Sequence, residues 1–398
     1  MLEQAGFDKV STITDYRMDS AFITALVERR RPETLTFHLP TGECTITLED
    51  VNMLLGLRVD GKAVTGPTEV SWKEDCEKLL GVMPPKEERK GKTLRLAWLR
   101  ETFSSLNNES SYEERIQHCR AYILTLIGGL LMPDKSNNRV HLCWLPLLED
   151  LEKAGEYSWS SACLATLYRN LCKSSQAGVL SIGGCALLLQ TWGWSRISKI
   201  APHNPIKLTY PFAKKWSGPG MKYYKTPQHD IIGYRSRIDH MNADDFTWRP
   251  YLQLEHKDPE DSWGWNATTY LICFNIVEMH QTDRVKLQFG LMQNIPKPPR
   301  CMKEHHKSSL RDHLDTSWAS YYVDENKEWD ERHNHLLDGE FLDGEVKPSH
   351  EYMVWFFQNS KPFVSDDQQL ADPRESRTQH PPHNFLELPT TSYSSSPY

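Results

Sequence analysis

The sequence predicts a mainly α (α+β) protein: a large helical domain with a small N-terminal β-hairpin and a mixed C-terminal part. With 398 residues and 39% apolar content, the chain can bury a sizeable core. Across residues 92–194, apolar residues recur at helical spacing between capping signals. Alternating or continuous apolar runs at residues 34–47 and 268–277 are typical of strands.

The N-terminal part, residues 1–83, is predicted to hold a helix, a hairpin and a second helix. These are a helix Ser20–Arg31, strands Thr34–Leu39 and Cys44–Thr47, and a short helix ending at Gly56. Asp19 is a suitable N-cap for the first helix, and Pro32 stops it. Thr47 and Asp50 have the spacing of a capping box, which places the start of the second helix.

Residues 84–195 are predicted to form the helical core, entered through an exposed, charged linker at residues 84–92. The helices are expected at Lys92–Leu106, Ser111–Met132, Val140–Leu151, Ser160–Ser174 and Ile182–Trp194. Ser111 and Glu114 form a capping box. The helix that they open is apolar around most of its circumference, so it is expected at the centre of the core.

Three further parts follow the helical core. Residues 196–250 have the composition of a basic aromatic loop region. Residues 251–357 are predicted to form an α+β part. Residues 358–398 are rich in Ser, Pro and His and are predicted to form a disordered tail. The α+β part is predicted to contain a buried strand Thr268–Val277, helices Thr282–Phe289 and Trp318–Leu337, and an apolar stretch Tyr352–Phe357.

The basic loop region holds the sharpest functional signal. Residues 196–237 contain nine Lys and Arg and one Asp, 9 − 1 = +8, whereas the whole chain is −7 and the remainder therefore −15. Cations neutralise phosphates and aromatic rings stack on bases, so this mixture indicates an anionic partner. Nucleic acid and an acidic protein surface both fit. The candidate residues are Arg196, Lys199, Lys214, Lys215, Trp216, Lys222, Tyr223, Tyr224 and Lys225.

The same stretch has a structural interpretation. Five prolines and two glycines between residues 196 and 237 are typical of a loop. Basic loops are often solvated, or docked on an acidic part of their own protein. The charge pattern therefore leaves open whether the loop meets a partner.

Evidence for catalysis in the sequence is weak. Ser195–Lys199 faintly resembles the Ser-x-Ser-Lys lysine context of some pyridoxal-phosphate enzymes, but the alternating strands and helices of that class are missing around it. Phosphate-binding glycine loops and nucleophile elbows are also missing. Several residues could contribute to a metal site, although their gaps match no standard pattern: Cys301, His305, His306, His313, His333 and His335.

Three sequence blocks together resemble the plant mobile domain, a family also labelled aminotransferase-like. The first block runs from Leu26 to Gly61 and includes Arg31-Pro32-Glu33-Thr34. The second holds Tyr157-Ser158-Trp159 and Leu164–Arg169. The third holds Val277–Val285 and Gln288–Leu291. The resemblance covers roughly residues 5–357.

The resemblance carries several expectations. It implies a nuclear plant protein without established catalysis, acting in transposable-element silencing, gene expression control and meristem maintenance, in complexes with related mobile-domain proteins. The motif residues are expected to be structural, setting turns or filling the core. They are Pro32, Phe37, Leu39, Gly56, Trp159, Tyr168, Arg284, Phe289 and Gly290. Relatives typically have Trp where this chain has Arg30, a change expected to loosen the first helix or add a surface charge.

The sequence thus favours a non-enzymatic nuclear binding protein and leaves enzymatic activity open. Its expected partners are related mobile-domain proteins and nucleic acid. No cofactor, metal, membrane or small-molecule substrate is expected, and aminotransferase or phosphatase activity gains no support from the residues. The alternatives are a transposon-derived hydrolase or nuclease, which needs converging carboxylates, and a pure protein–protein scaffold.

Overall fold

In a computed structural model, the described α-helices and strands lie between residues 20 and 359. The structure describes residues 1–365 except Val70, Asn137, Ala177, Leu180, Lys225, 253–261, 311–316 and Glu345. The predicted disordered tail therefore lies almost entirely outside the described residues.

The described helices are α1 (Ser20–Val27), α2 (Leu48–Leu55), α3 (Trp72–Leu80), α4 (Leu96–Thr102), α5 (Tyr112–Leu126), α6 (Leu151–Ala154), α7 (Trp159–Ser174), α8 (Ala186–Arg196), α9 (Ile231–Asp239), α10 (Trp318–Tyr321), α11 (Val323–Asp330) and α12 (His350–Asn359). The strands are β1 (Arg30–Arg31), β2 (Thr36–Leu39), β3 (Gly42–Cys44), β4 (Arg89–Lys90), β5 (Thr93–Arg95), β6 (Arg139–His141), β7 (Thr269–Cys273) and β8 (Ile276–His280). This confirms the predicted fold class.

The strands form small antiparallel sheets. In the order of their pairing these are β1-β2-β3, β4-β5-β6 and the hairpin β7-β8. In the first sheet Phe37 lies opposite Cys44, and in the third Leu271 lies opposite Glu278. Each sheet is too small to be stable alone, so its apolar face depends on the helices packed against it.

Local capping explains why several helices begin and end where they were predicted. Thr47 and Asp50 make a reciprocal capping box at the start of α2, and Ser111 and Glu114 make another at the start of α5. Gly56 ends α2 in the left-handed region, with φ of 72°. A side chain there would also approach Lys9 to 2.4 Å, which leaves room only for glycine.

Other elements differ from the sequence prediction because long-range pairing decides them. The predicted linker 84–92 contributes β4, and the predicted helix Val140–Leu151 starts as β6 and continues as short 3-10 turns. The predicted strand Thr268–Val277 is a hairpin whose turn passes through Phe274, with φ of 50°. Predicted helix Thr282–Phe289 consists of two 3-10 turns.

Aromatic side chains of distant elements meet in one continuous core. Phe22 of α1 stacks on Trp194 of α8, with ring centroids 6.0 Å apart. Phe37 of β2 packs on Trp192 at 5.0 Å. Both tryptophans are almost completely buried. Because tryptophan has a large apolar surface, each contributes strongly to the core. Within the described residues, no helix is long and apolar enough to cross a membrane.

The last helix packs against the first sheet. The backbone N–H of Glu43 donates to the Tyr352 hydroxyl at 3.1 Å, and the Phe356 ring meets His38 edge-on at 5.4 Å. Beyond α12, the N–H of Ser365 donates to Asp239 at 2.9 Å. Residues at the two ends of the described chain therefore belong to the same packed unit.

Candidate functional site

The basic loop region is held on the protein by its apolar residues. Phe212 and Trp216 are 5% and 3% exposed, and Trp216 packs on Trp194 of α8 with centroids 6.1 Å apart. Phe212 stacks on Tyr251 at 6.2 Å. The loop is therefore docked, with its outer residues facing solvent.

Arg196 is not part of the loop surface. It is 1% exposed and donates to Asp50 at 2.7 Å and to the Trp248 carbonyl at 2.5 Å. A guanidinium already paired with a buried carboxylate cannot reach a phosphate in solution. The prediction that Arg196 contacts an anionic partner is therefore wrong, because the sequence did not reveal the carboxylate on α2.

Trp216 is also unavailable for stacking on a base. Its ring is the anchor of the loop, and the indole N–H is buried without a hydrogen-bond acceptor among the described residues. The prediction that Trp216 stacks on nucleic acid is wrong for that reason. Lys199, by contrast, lies at the surface and pairs there with Asp245 of the same loop region.

The remaining candidates differ in exposure. Lys214 and Lys215 are half-buried, and burial lowers the pKa of Lys215, whose ammonium lies 5.2 Å from the Trp216 ring. Lys222 is exposed, Tyr223 is half-buried, and Tyr224 is 68% exposed. Lys225 lies outside the described residues. Lys222 and Tyr224 are thus the candidates best placed to meet a ligand.

The structure adds Arg17, which the sequence did not single out. Residue Tyr16 forms an antiparallel bridge with Ser217, and the N–H of Gly218 donates to the Asp15 carbonyl at 3.0 Å. Arg17 is exposed next to this bridge, and its charge acts on the neighbouring Tyr223 hydroxyl. Since 200 residues separate these segments, no local sequence pattern could have joined them.

A second group of charges is buried around the first hairpin. We call residues 36–50 the hairpin hub. Arg284 forms a two-bonded pair with Glu43 at 2.7 and 2.8 Å, and Arg196 pairs with Asp50. The side-chain amide of Gln288 bonds both the N–H and the carbonyl of Thr45, each at 2.8 Å. The hub therefore fixes segments from across the chain through buried, charge-assisted hydrogen bonds.

Most of the family-motif residues belong to this hub or to the adjoining core. Tyr168 bonds Thr45 at 2.7 Å and the Ile46 carbonyl at 2.6 Å, and Arg284 pairs with Glu43 rather than with its neighbour Asp283. The remaining positions fill the core or set turns. Phe37, Leu39 and Trp159 are buried, Phe289 packs against the core, Pro32 follows β1, and Gly56 and Gly290 have left-handed backbones.

Arg30 is buried rather than exposed. Its guanidinium lies 4.3 Å from the centroid of the Tyr168 ring and 5.1 Å from that of Phe37, and the residue is 1% exposed. A planar cation stacks well on aromatic faces, so Arg30 fills a place suited to an aromatic residue. The prediction of an added surface charge is therefore wrong.

Two of the histidines considered as metal ligands, His305 and His306, have other partners. His306 bonds Glu278 at 3.0 Å, and Glu278 is held on its other oxygen by Arg169 at 2.5 Å. His305 bonds Glu325 at 2.6 Å. His313 lies outside the described residues. Among the residues that the structure describes, no three His, Cys, Asp or Glu side chains are grouped to hold a metal ion.

The enzyme alternative requires several carboxylates in one cleft. The Glu278–His306 pair supplies one carboxylate, which is fully buried and committed to Arg169. A groove of about 540 Å³ beside α6 is lined by acidic residues and by Arg120, but that guanidinium is bonded to the carbonyls of Leu79, Leu148 and Glu149.

The fold and the surface together define a class of protein. It is a mainly helical α+β domain with a buried arginine–carboxylate framework and a docked basic loop. The model of the plant mobile domain matches residues 6–357, so the chain belongs to the plant mobile domain family. No solved structure matches it.

Similar curated proteins come from Arabidopsis thaliana. The chain is 37% identical to Serine/threonine-protein phosphatase 7 long form homolog over 92% of its own length and 28% of the relative. It is 38% identical to Protein MAIN-LIKE 2 over 74% of its length and 45% of the relative. It is 33% identical to Protein MAINTENANCE OF MERISTEMS over 93% of its length and 76% of the relative. The chain thus spans less than half of the first two relatives.

Proposed function

We propose that this chain is a non-enzymatic nuclear protein that acts in transposable-element silencing, gene expression control and meristem maintenance. In this proposal it works in complexes with related mobile-domain proteins. The observation that carries it is the match to Protein MAINTENANCE OF MERISTEMS, which extends over 93% of this chain and 76% of that relative. A relative matched over most of both chains shares its whole domain rather than a single motif.

The distribution of charge supports a binding role. Arg196 and Arg284 form buried pairs with carboxylates of the hairpin hub, whereas the loop presents exposed cations. Removing one partner of a buried ion pair is strongly destabilising, so these arginines are committed to the fold. Exposed cations on a docked loop attract anions. The loop is therefore the surface through which the protein meets an anionic partner in this proposal.

Phosphatase activity is not part of the proposal. The relative whose name includes a phosphatase is matched over 28% of its length, and that name describes the relative. The shared region corresponds to the mobile domain in this chain.

Recovery of partners from plant nuclei tests the proposal. A tagged chain is expressed in plant cells, isolated from nuclei with and without nuclease treatment, and its partners are identified by mass spectrometry. We expect related mobile-domain proteins in both samples, since a protein–protein complex survives the loss of nucleic acid. Exclusion of the tagged chain from nuclei, or recovery without any mobile-domain protein, would contradict the proposal.

A further inference from the structure

The last helix, α12, has an apolar outer face. Its inner face packs on the first sheet through Tyr352 and Phe356, which are 1% and 0% exposed. Val354 and Phe357 lie on the other side of the helix and are 43% and 47% exposed. Residues three positions apart are neighbours on a helix surface, so these two side chains form one continuous apolar strip.

The segment that follows α12 extends this strip. Phe363 is 44% exposed, and its ring stacks on Phe357 with centroids 6.4 Å apart and ring planes inclined by 12°. The segment is fixed in place, because the backbone N–H groups of Val364 and Ser365 donate to the Asp239 carboxylate at 3.2 and 2.9 Å. We call the three exposed apolar residues the α12 patch: Val354, Phe357 and Phe363.

Opposite charges flank the α12 patch. Glu351 is exposed in the first turn of α12, three residues before Val354 and therefore on the same face. Lys361 is exposed beyond the other end of the helix, where Pro362 is buried and Phe363 is again exposed. A residue before proline favours extended backbone, and this alternation places the lysine on the outer side with Phe363. Within the described residues, neither Glu351 nor Lys361 forms an ion pair.

We propose that the α12 patch is an interface between two copies of this chain. A twofold axis through the patch makes the two α12 helices antiparallel, so the apolar side chains of both copies meet at the centre. Glu351 of each copy then lies beside Lys361 of the partner subunit, because the two charges occupy opposite ends of the strip. The proposal goes beyond the complexes with related mobile-domain proteins, since it needs only one kind of chain.

The pattern of charge favours a second copy over other occupants. A partner with one sign of charge would match one end of the strip and be repelled at the other. A nucleic acid would meet the Glu351 carboxylate and the sides of the phenylalanine rings. The patch has three apolar side chains, so the interface is at the small end of specific interfaces. This size predicts a weak dimer, with a dissociation constant on the order of 10 μM.

Sedimentation equilibrium of the purified full chain tests the interface. We expect the average mass to rise from monomer towards dimer between about 1 and 100 μM, a range that brackets the expected affinity. Phe357→Ser and Phe363→Ser should each weaken the dimer at least roughly tenfold, because buried aromatic side chains at the centre of an interface contribute most of its affinity. Leu106→Ser is the matched control, since Leu106 is 47% exposed between α4 and α5. It should not change the affinity.

A charge exchange tests the antiparallel arrangement. Glu351→Lys places two like charges together at each end of the interface and should weaken the dimer about tenfold. Lys361→Glu should have the same effect. The combined variant E351K/K361E restores opposite charges between the copies and should dimerise like the original chain. Circular dichroism and urea unfolding of each variant show whether it remains folded, and restoration by the combined variant is not expected from damage to the fold.

Three results would overturn the proposal. The first is a monomer at every concentration, with or without residues 366–398; a dimer that appears only after their removal would show that the chain's own C-terminal segment covers the patch. The second is a dimer that Leu106→Ser weakens as much as Phe357→Ser. The third is a dimer that E351K/K361E does not restore. None of these results involves another mobile-domain protein, so the recovery of partners from nuclei tests the proposed function separately.

Discussion

The hairpin hub and the basic loop use positive charge in opposite ways. Around the hub, Arg30, Arg196 and Arg284 lie in the interior, and each meets a carboxylate or an aromatic face. In the loop, lysines lie at the surface and several have no acidic partner among the described residues. Arginine presents several donors from a planar group that tolerates partial desolvation, whereas the lysine ammonium is strongly hydrated. The comparison teaches that residue type, as well as charge, predicts which cations are buried.

The strongest test of this comparison removes one buried cation and, separately, one surface cation. Arg196→Met leaves Asp50 buried without its partner, which should cost about 3–5 kcal/mol of unfolding free energy. Lys199→Met removes the same charge three residues later, from a surface pair, and should cost less than about 1 kcal/mol. Urea unfolding measures both. Equal costs would show that Arg196 is not buried as described.

A pair of hydroxyl deletions sharpens the comparison. Tyr168→Phe leaves the Ile46 carbonyl without its donor in a fully buried site, which should cost about 1–3 kcal/mol. Tyr224→Phe removes a hydroxyl from an exposed ring and should change stability by less than about 0.5 kcal/mol. Thermal and urea unfolding of both variants provide the measurement. A small effect at Tyr168 would mean that water replaces its hydroxyl.

The hub should also respond to pH through His38. Burial, together with the charges of Arg31, Arg284 and Arg30, lowers the pKa of His38 from its ordinary 6.5 to about 3. The unfolded chain therefore binds a proton between pH 6.5 and 3 that the folded chain does not, so stability falls as pH falls through this window. A fully developed one-proton difference corresponds to about 1.4 kcal/mol per pH unit.

The histidine contribution can be isolated by substitution. His38→Asn should flatten the dependence of the unfolding free energy on pH between about 6 and 4 by up to one proton. His141 and His280, whose pKa values burial lowers to about 4, remain in this variant and keep part of the slope. An unchanged slope would show that His38 is protonated in the folded protein.

The smallest expected effect is in the loop itself. The variant K207Q/K222Q removes two exposed charges that have no ion-pair partner among the described residues. It should change the unfolding free energy by less than about 0.5 kcal/mol, because surface substitutions away from caps and buried groups are nearly neutral. If urea unfolding showed that the variant loses several kcal/mol of unfolding free energy, these lysines would be structural residues.

Local signals explain what the sequence predicted well. The capping boxes at Thr47 and Ser111 and the glycine at position 56 act within a few residues, so the starts of α2 and α5 and the end of α2 could be read directly. The fold class follows from such elements. By contrast, β4 and β6 are strands only because β5 lies between them, and no short window contains that information.

The candidate site was predictable in part for the same reason. The excess of positive charge in residues 196–237 is visible in the sequence, and Lys222 and Tyr224 are exposed in the structure. The burial of Arg196 depends on Asp50, which is 146 residues away. Arg17 is placed beside the loop by the backbone bridge between its neighbour Tyr16 and Ser217, which are 217 − 16 = 201 positions apart. Contacts of this length are decided by packing and are not encoded in local spacing.

The hydrogen bond between Glu43 and Tyr352 joins residues 309 positions apart. A ribosome adds roughly 5–20 residues per second, so the first sheet waits on the order of 15–60 s before its last neighbour is synthesised. During that interval His38 and the Glu43 amide lack the cover that α12 later provides. Nascent chains of this protein therefore expose this edge of the hairpin until the last helix has been synthesised.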